Sequence, residues 1–163
     1  VNLLASGSIM QQALAAAELL VARGYAVNVW SVTSAGELYR DARDCERWNR
    51  LHPLATPRVP HIQAALADER GVFVAVSDYM KATGDLLSRW MPGPFTTLGT
   101  DGYGVSESRA ALRAHFEIGP RDIVLAALDL LRQDGTLSAA DVAAFIVEQG
   151  IDPEKPSAAR GMN

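Results

Sequence analysis

At 163 residues the chain suits one domain, long enough to bury roughly 70% of the surface that its unfolded form would expose. A hydrophobic fraction of 48% against 21% charged excludes disorder throughout. The net charge of −4 argues against nucleic acid as the main partner, and the single cysteine, Cys45, excludes an internal disulfide framework.

The longest apolar run, residues 13–22, is too short for a membrane span and is interrupted by Glu18. The start has no basic region of the kind that opens a signal peptide. With the lone cysteine, this predicts a cytoplasmic protein with no membrane partner. Residues 1–6 form a short, mostly apolar run ending in Ser6-Gly7-Ser8, as a strand buried on both faces would. The chain begins on this strand without Met and is read as cut from something longer. Ser8 and Gln11 have capping-box spacing, so a helix is expected from about Ile9, with Met10, Leu14, Ala17 and Val21 facing inward. Gly24 is its left-handed stop. Residues 26–32 alternate as a second strand, and strand, helix and strand in this order predict parallel pairing.

Ser34 and Glu37 repeat the capping-box spacing and predict a helix over residues 35–50. Arg40 and Asp44 lie four apart and attract; Arg43 and Arg47 repel. This charged face, with Trp48, is read as solvated or as an interface. Pro53, Pro57 and Pro60 make residues 51–60 an ordered loop. A short helix is expected over 61–68, a strand over 71–77, a helix over 82–90 with Leu86, Leu87 and Trp90 inward, and a fourth strand over 95–98. Ser106 is expected to cap a helix running to His115. Gly119-Pro120 opens another, with Asp122 in its first turn. Ser138 and Asp141 open the last, with Val142, Phe145 and Ile146 inward. Residues 156–163 read as a frayed tail.

Two turns could hold an anion. Gly99-Thr100-Asp101-Gly102-Tyr103-Gly104 lies between a strand and a helix, where a phosphate could rest on helix-start amides. Its glycine order is not that of a dinucleotide fingerprint, it has no P-loop lysine, and Glu107 would repel the ligand. A tight turn with special backbone angles is the competing reading. Ser6-Gly7-Ser8 sits where dinucleotide folds bind pyrophosphate but has one glycine only. His52, His61 and His115 are too scattered for metal-ligand spacing. Cys45 has no local histidine partner and suits packing. Ser6, Ser31, Ser34 and Ser77 lack the nucleophile elbow of a serine hydrolase. Trp30, Trp48 and Trp90 read as core or interface anchors. No catalytic, cofactor-binding or metal-binding residue is assigned.

Four stretches carry a family likeness. They are Gly7-Ser8-Ile9; residues 31–53 with Thr56-Pro57-Arg58-Val59-Pro60; Ser77-Asp78-Tyr79-Met80-Lys81; and residues 98–109 with His115-Phe116. The chain resembles the carboxyl-terminal domain of the homodimeric pyruvate dehydrogenases, in the transketolase-like thiamine-diphosphate superfamily. The run Asp44-Cys45-Glu46-Arg47-Trp48-Asn49 favours that branch over transketolase itself; Tyr103 stands where phenylalanine is usual. The resemblance implies an α/β fold of three layers, a mostly parallel twisted sheet with helices on both faces, over residues 1–151, with a tail at 152–163. It implies a structural and interaction domain that supports an enzyme decarboxylating pyruvate and acetylating a lipoyl group. Thiamine diphosphate and Mg²⁺ belong to other domains of that enzyme, so none is expected here. The implied partners are the rest of its subunit, a second subunit and a lipoyl-bearing acyltransferase. The rival reading is a regulatory α/β module that binds a small anion or nucleotide.

Overall fold

Strands Asn2–Ala5 (β1), Asn28–Ser31 (β2), Phe73–Val76 (β3) and Phe95–Leu98 (β4) pair in parallel, in the order β2-β1-β3-β4, in a computed structural model that describes residues 1–160. Leu3 lies opposite Val29 on one side and Val74 on the other, and Val76 opposite Leu98. Side chains alternate across a sheet, so the two inner strands feed two cores. Leu3, Ala5, Val74 and Val76 enter one; Leu4, Phe73 and Ala75 enter the other. Both are buried, which is why residues 3–5 of β1 and all of β3 read as apolar runs; Asn2, also buried, is the polar exception.

The first core is covered by Met10–Ala22 (α1), Pro120–Gln133 (α6) and Ala139–Glu148 (α7). The second is covered by Ala35–Leu51 (α2), His61–Ala65 (α3) and Lys81–Asp85 (α4), with a 3-10 turn at Ser88–Trp90. Arg109–Phe116 (α5) links the sheet to α6. This is the three-layer α/β arrangement expected from the sequence.

Several local expectations are corrected. α1 buries Ala13, Ala16 and Leu20, and leaves Leu14 and Val21 about half exposed. The helix is apolar on nearly all sides, so spacing alone fixed no unique inward face. Alanines at the contact let it approach α6 closely. Ser8 caps nothing: its hydroxyl donates to Asp78 Oδ2 at 3.0 Å, and a 3-10 turn, Gly7–Ile9, precedes the helix. Ser34 does cap α2, accepting from Glu37 N at 3.2 Å. On α2, Arg40 pairs with Glu37 and Arg43 with Glu46. Leu86 stays exposed while Leu87 and Trp90 are buried. Ser108, not Ser106, caps α5, accepting from Ala111 N at 3.2 Å. Lys155 Nζ donates to the carbonyls of Ala114 and His115 at the end of α5, and Ala158–Arg160 form a 3-10 turn. The expected tail runs on to residues 161–163, which lie outside the described residues.

Asp122, in the first turn of α6, is buried, and its Oδ2 accepts from Gly119 N at 3.1 Å. Burial pushes its carboxyl above the ordinary range, against the Gly119 bond and Arg121, which pull it down. A raised folded value means that the stabilising contribution is complete below the unfolded value of about 3.9 and is lost as pH rises through the folded one. The ionised carboxylate therefore costs stability at neutral pH. Asp122→Asn keeps an oxygen for Gly119 N–H and removes that cost. Thermal denaturation is expected to find the variant more stable than the parent at pH 7, with the advantage gone below about pH 3.9. A variant less stable at pH 7 would contradict this account.

Candidate functional site

The carboxyl ends of the four strands bring together the turns that the sequence singled out. Residues 77–81, after β3, are the hub. Ser77 Oγ accepts from Tyr79 N at 3.2 Å and turns the chain at the strand end. Asp78 takes Ser8 from the β1 turn through its side chain, and its carbonyl accepts from Thr100 Oγ1 at 2.9 Å. Tyr79 O accepts from Thr100 N at 2.9 Å, and Asp101 Oδ1 accepts from Lys81 N at 2.9 Å. Both carboxylates are thus engaged in holding backbone and loops.

The glycine elbow is a turn made by close approach. A Cβ at Gly99 would lie 2.4 Å from Tyr79 O and 2.9 Å from Lys81 N. Gly102 has φ +119°, and a Cβ there would lie 2.5 Å from Ala158 O. The elbow does not open a helix directly. Ten residues of irregular chain, 99–108, precede α5. Glu107 falls before the helix, not in its first turn, and its Oε2 accepts from Ser108 N at 3.0 Å. With Ser108 Oγ holding Ala111 N, side chains already occupy amides that a phosphate would use.

A cavity of about 250 Å³ opens beside the hub, between the ends of β1 and β3 and the start of α2. It lies where connections leave the sheet in opposite directions, the place where open α/β sheets take ligands. Leu4 and Leu87 line it, and Ser6, Ser34, Ser77 and Thr83 bring hydroxyls; among the described residues no charged side chain lines it. Tyr79, Met80 and Tyr103 stand exposed at the same edge.

The other sequence candidates stay apart. His52 stacks on Trp48 with centroids 4.4 Å apart, His61 N donates to Asp41 Oδ2 at 2.7 Å, and His115 lies edge-on to Phe116. Among the described residues, no three of His, Cys, Asp and Glu are grouped to hold a metal. Cys45 is buried on α2; burial first, then Asp41, push its thiol up, the reverse of an activated nucleophile. Trp30 Nε1 donates to Asn2 Oδ1 at 3.3 Å, and Trp90 Nε1 to Glu46 Oε1 at 3.2 Å, so both anchor cores. The hub role of Asp78 follows from no motif in the sequence. A signal was present: two aspartates close behind the ends of neighbouring strands.

Four parallel strands with helices on both faces, and a glycine elbow locked onto the loop of the neighbouring strand, define an α/β domain of the transketolase carboxyl-terminal type. Residues 1–119 match the family described as the transketolase-like TK C-terminal domain, and the chain belongs to that family. It is 43% identical over 157 residues to the pyruvate dehydrogenase E1 component of Pseudomonas aeruginosa, covering 95% of this chain and 18% of that protein. It is 46% identical over 158 residues to the E1 component of Escherichia coli K12, with the same coverage. The chain therefore spans less than a fifth of the length of these relatives. Among solved structures, a protein titled "Split gene transketolase, inactive beta4 tetramer" superposes with a TM-score of 0.55 at 21% identity, over 80% of this chain and 38% of that one. At that identity the likeness is one of fold.

Proposed function

We propose that this chain is the carboxyl-terminal structural and interaction domain of a pyruvate dehydrogenase E1 component, with residues 1–151 as the domain and 152–163 as its tail. The supporting observation is identity of 43% and 46% to E1 components over 95% of the chain, matched to only 18% of each. In this reading the full enzyme decarboxylates pyruvate with thiamine diphosphate and Mg²⁺ and acetylates the lipoyl group of an acyltransferase. It works as a cytoplasmic homodimer within a multienzyme complex. The residues here do not fit the cofactor. A diphosphate-bound Mg²⁺ needs oxygens converging on one ion, whereas Asp78 and Asp101 are engaged with Ser8 and Lys81. The domain's part is to brace and dock.

The test is a chimera in which this chain replaces the matching segment of the Escherichia coli K12 E1 component. It is expected to decarboxylate pyruvate and acetylate the lipoyl partner, while the chain alone does neither and does not bind thiamine diphosphate. Turnover by the chain alone, or a folded but inactive chimera, would overturn the reading.

A second reading, a module binding a small anion or nucleotide, is favoured by the cavity at the sheet edge. Its volume of about 250 Å³ is below the ~300–1,000 Å³ common for ligand pockets. That size favours a small molecule over a nucleotide. A rise in Tm with millimolar phosphate or small carboxylate would support it; no rise leaves the cavity as packing.

A further inference from the structure

Residues 51–59 are all exposed. Leu54 is 102% exposed, Val59 64% and Leu51 54%. Three apolar side chains close together, Leu51 at the end of α2 and Leu54 and Val59 on the loop after it, are each more than half exposed, an unusual patch for a finished surface. The loop is nonetheless held in shape. Asn49 Nδ2 donates to Arg58 O at 2.9 Å, and Arg58 N donates to Asn49 Oδ1 at 2.7 Å, closing it across its base. Ala55 N donates to His52 O at 3.0 Å. His52 stacks on Trp48, and the Arg58 guanidinium lies 4.2 Å from the same ring. Pro53 and Pro57 fix φ within the loop. A segment made rigid by its own hydrogen bonds and prolines loses little further freedom on binding.

We infer that residues 47–59 are a docking arm that seats in an apolar hollow rimmed by carboxylates on the remainder of the enzyme subunit. The inference rests on the E1-component reading above and names the surface by which the domain joins that subunit. Charge gives the rim its sign. Arg47, Arg50 and Arg58 flank the apolar residues, and among the described residues none has a carboxylate within ion-pair distance, whereas Arg40 and Arg43 do. Of the acids that precede the arm on α2, Glu46 is paired with Arg43 and Arg89, and Asp44 lies about two helical turns before Leu51. Length points to the occupant: the matched stretch is 18% of the Pseudomonas aeruginosa relative, so most of such a subunit lies elsewhere. A second copy of this domain fits less well. Its one large acid-rimmed groove among the described residues lies on the opposite face of the sheet, between β4, α6 and α7. There Asp129 is paired with Arg132 and Glu117 with Lys155. Arm and groove on opposite faces would join copies head to tail, a heterologous contact and not the self-complementary one of a two-fold dimer.

The test places Leu54→Cys in the Escherichia coli K12 chimera described above. The side chain touches nothing in the domain, so the substitution removes no packing. Alkylation of Cys at this position, followed by peptide mass spectrometry, is expected to be at least tenfold slower than in a free peptide of the same sequence. The protection is expected to be independent of enzyme concentration. A rate equal to that of the free peptide overturns the inference, and protection that vanishes on dilution assigns the arm to a second copy and also overturns it. Trypsin supplies a measurement without substitution: cleavage after Arg50 and Arg58 is expected to be suppressed in the unsubstituted chimera, and ready cleavage there counts against the arm. Pyruvate decarboxylation by the same protein separates the two claims. An active chimera with unprotected Cys at position 54 sinks the arm alone, and a folded, inactive one with that position protected sinks the domain reading alone.

Discussion

Gly99→Ala is expected to destabilise the domain by about 3 kcal/mol, the upper end of overpacking costs, and to lower Tm by roughly 6–12 °C. The cause is backbone against backbone. The new methyl would stand 2.4 Å from Tyr79 O, 2.9 Å from Lys81 N and 3.2 Å from Met80 C. None of these can turn aside as a side chain tip can. Relief requires the elbow to part from the hub loop, which breaks the Thr100 N–Tyr79 O and Lys81 N–Asp101 bonds. The smaller conformational entropy of alanine in the unfolded chain works the other way by only about 0.4–1 kcal/mol. Gly104→Ala is the control: a Cβ there meets nothing within 4 Å. Chemical denaturation of both variants checks the account. A Gly99 variant within 0.5 kcal/mol of the parent, on the scale of neutral surface changes, would refute it.

That contrast also marks what the sequence could say. The turn-like nature of residues 99–104 was legible, because the glycine order and Glu107 argued against a phosphate cradle. The reason for the glycines was not. Gly99 is demanded by residues twenty positions away, and no local spacing reports such an approach. The strands and the α2 cap were legible for the opposite reason. Apolar runs and a serine three residues before glutamate are local causes with local effects. α1 shows the limit: with Leu14, Leu20 and Val21 all apolar, periodicity allowed more than one inward face, and the contact with α6 decided. Ser8 and Ser106 show another. Each could cap a helix, but Ser8 was drawn to Asp78 and the elbow carried the chain on to Ser108. The arm fell between the two cases. Its prolines announced an ordered loop, while the exposure of Leu54 appears only once the fold is known.

Phe73→Ala is the second large effect, expected at about 3–5 kcal/mol. Phe73 is fully buried on the central strand β3, and it is the largest fully buried side chain. It belongs to the smaller of the two cores, with Leu4, Ala42, Ile62, Leu66, Ala75, Leu87 and Trp90. Alanine would leave a void that the surroundings fill poorly. One wall is the Gly93 backbone, where even a Cβ would lie 2.4 Å from Gly71 O and 3.2 Å from Phe73 Cε2. The sheet lies on the other side, so collapse must come from the covering layer: Ala42 on α2, Ile62 and Leu66 of the α3 segment, Leu87 and the Trp90 turn. Trp90 is tethered through Nε1 to Glu46 on α2, and it meets Tyr39 edge-on at 5.8 Å. Loss of the ring should therefore loosen α2 as a body while the opposite core, around Leu3 and Val74, keeps its packing. Trp90 fluorescence is expected to shift toward the red before global unfolding, and hydrogen exchange is expected to rise over α2 and not over α6. In the chimera the same loosening would displace the base of the arm at Trp48 and Asn49. Phe73→Ala should then raise the alkylation rate of Cys at position 54 as well as lower stability, whereas Val74→Ala, on the other face, should lower stability alone. Equal effects of the two substitutions on that rate would mean that α2 does not carry the arm's position.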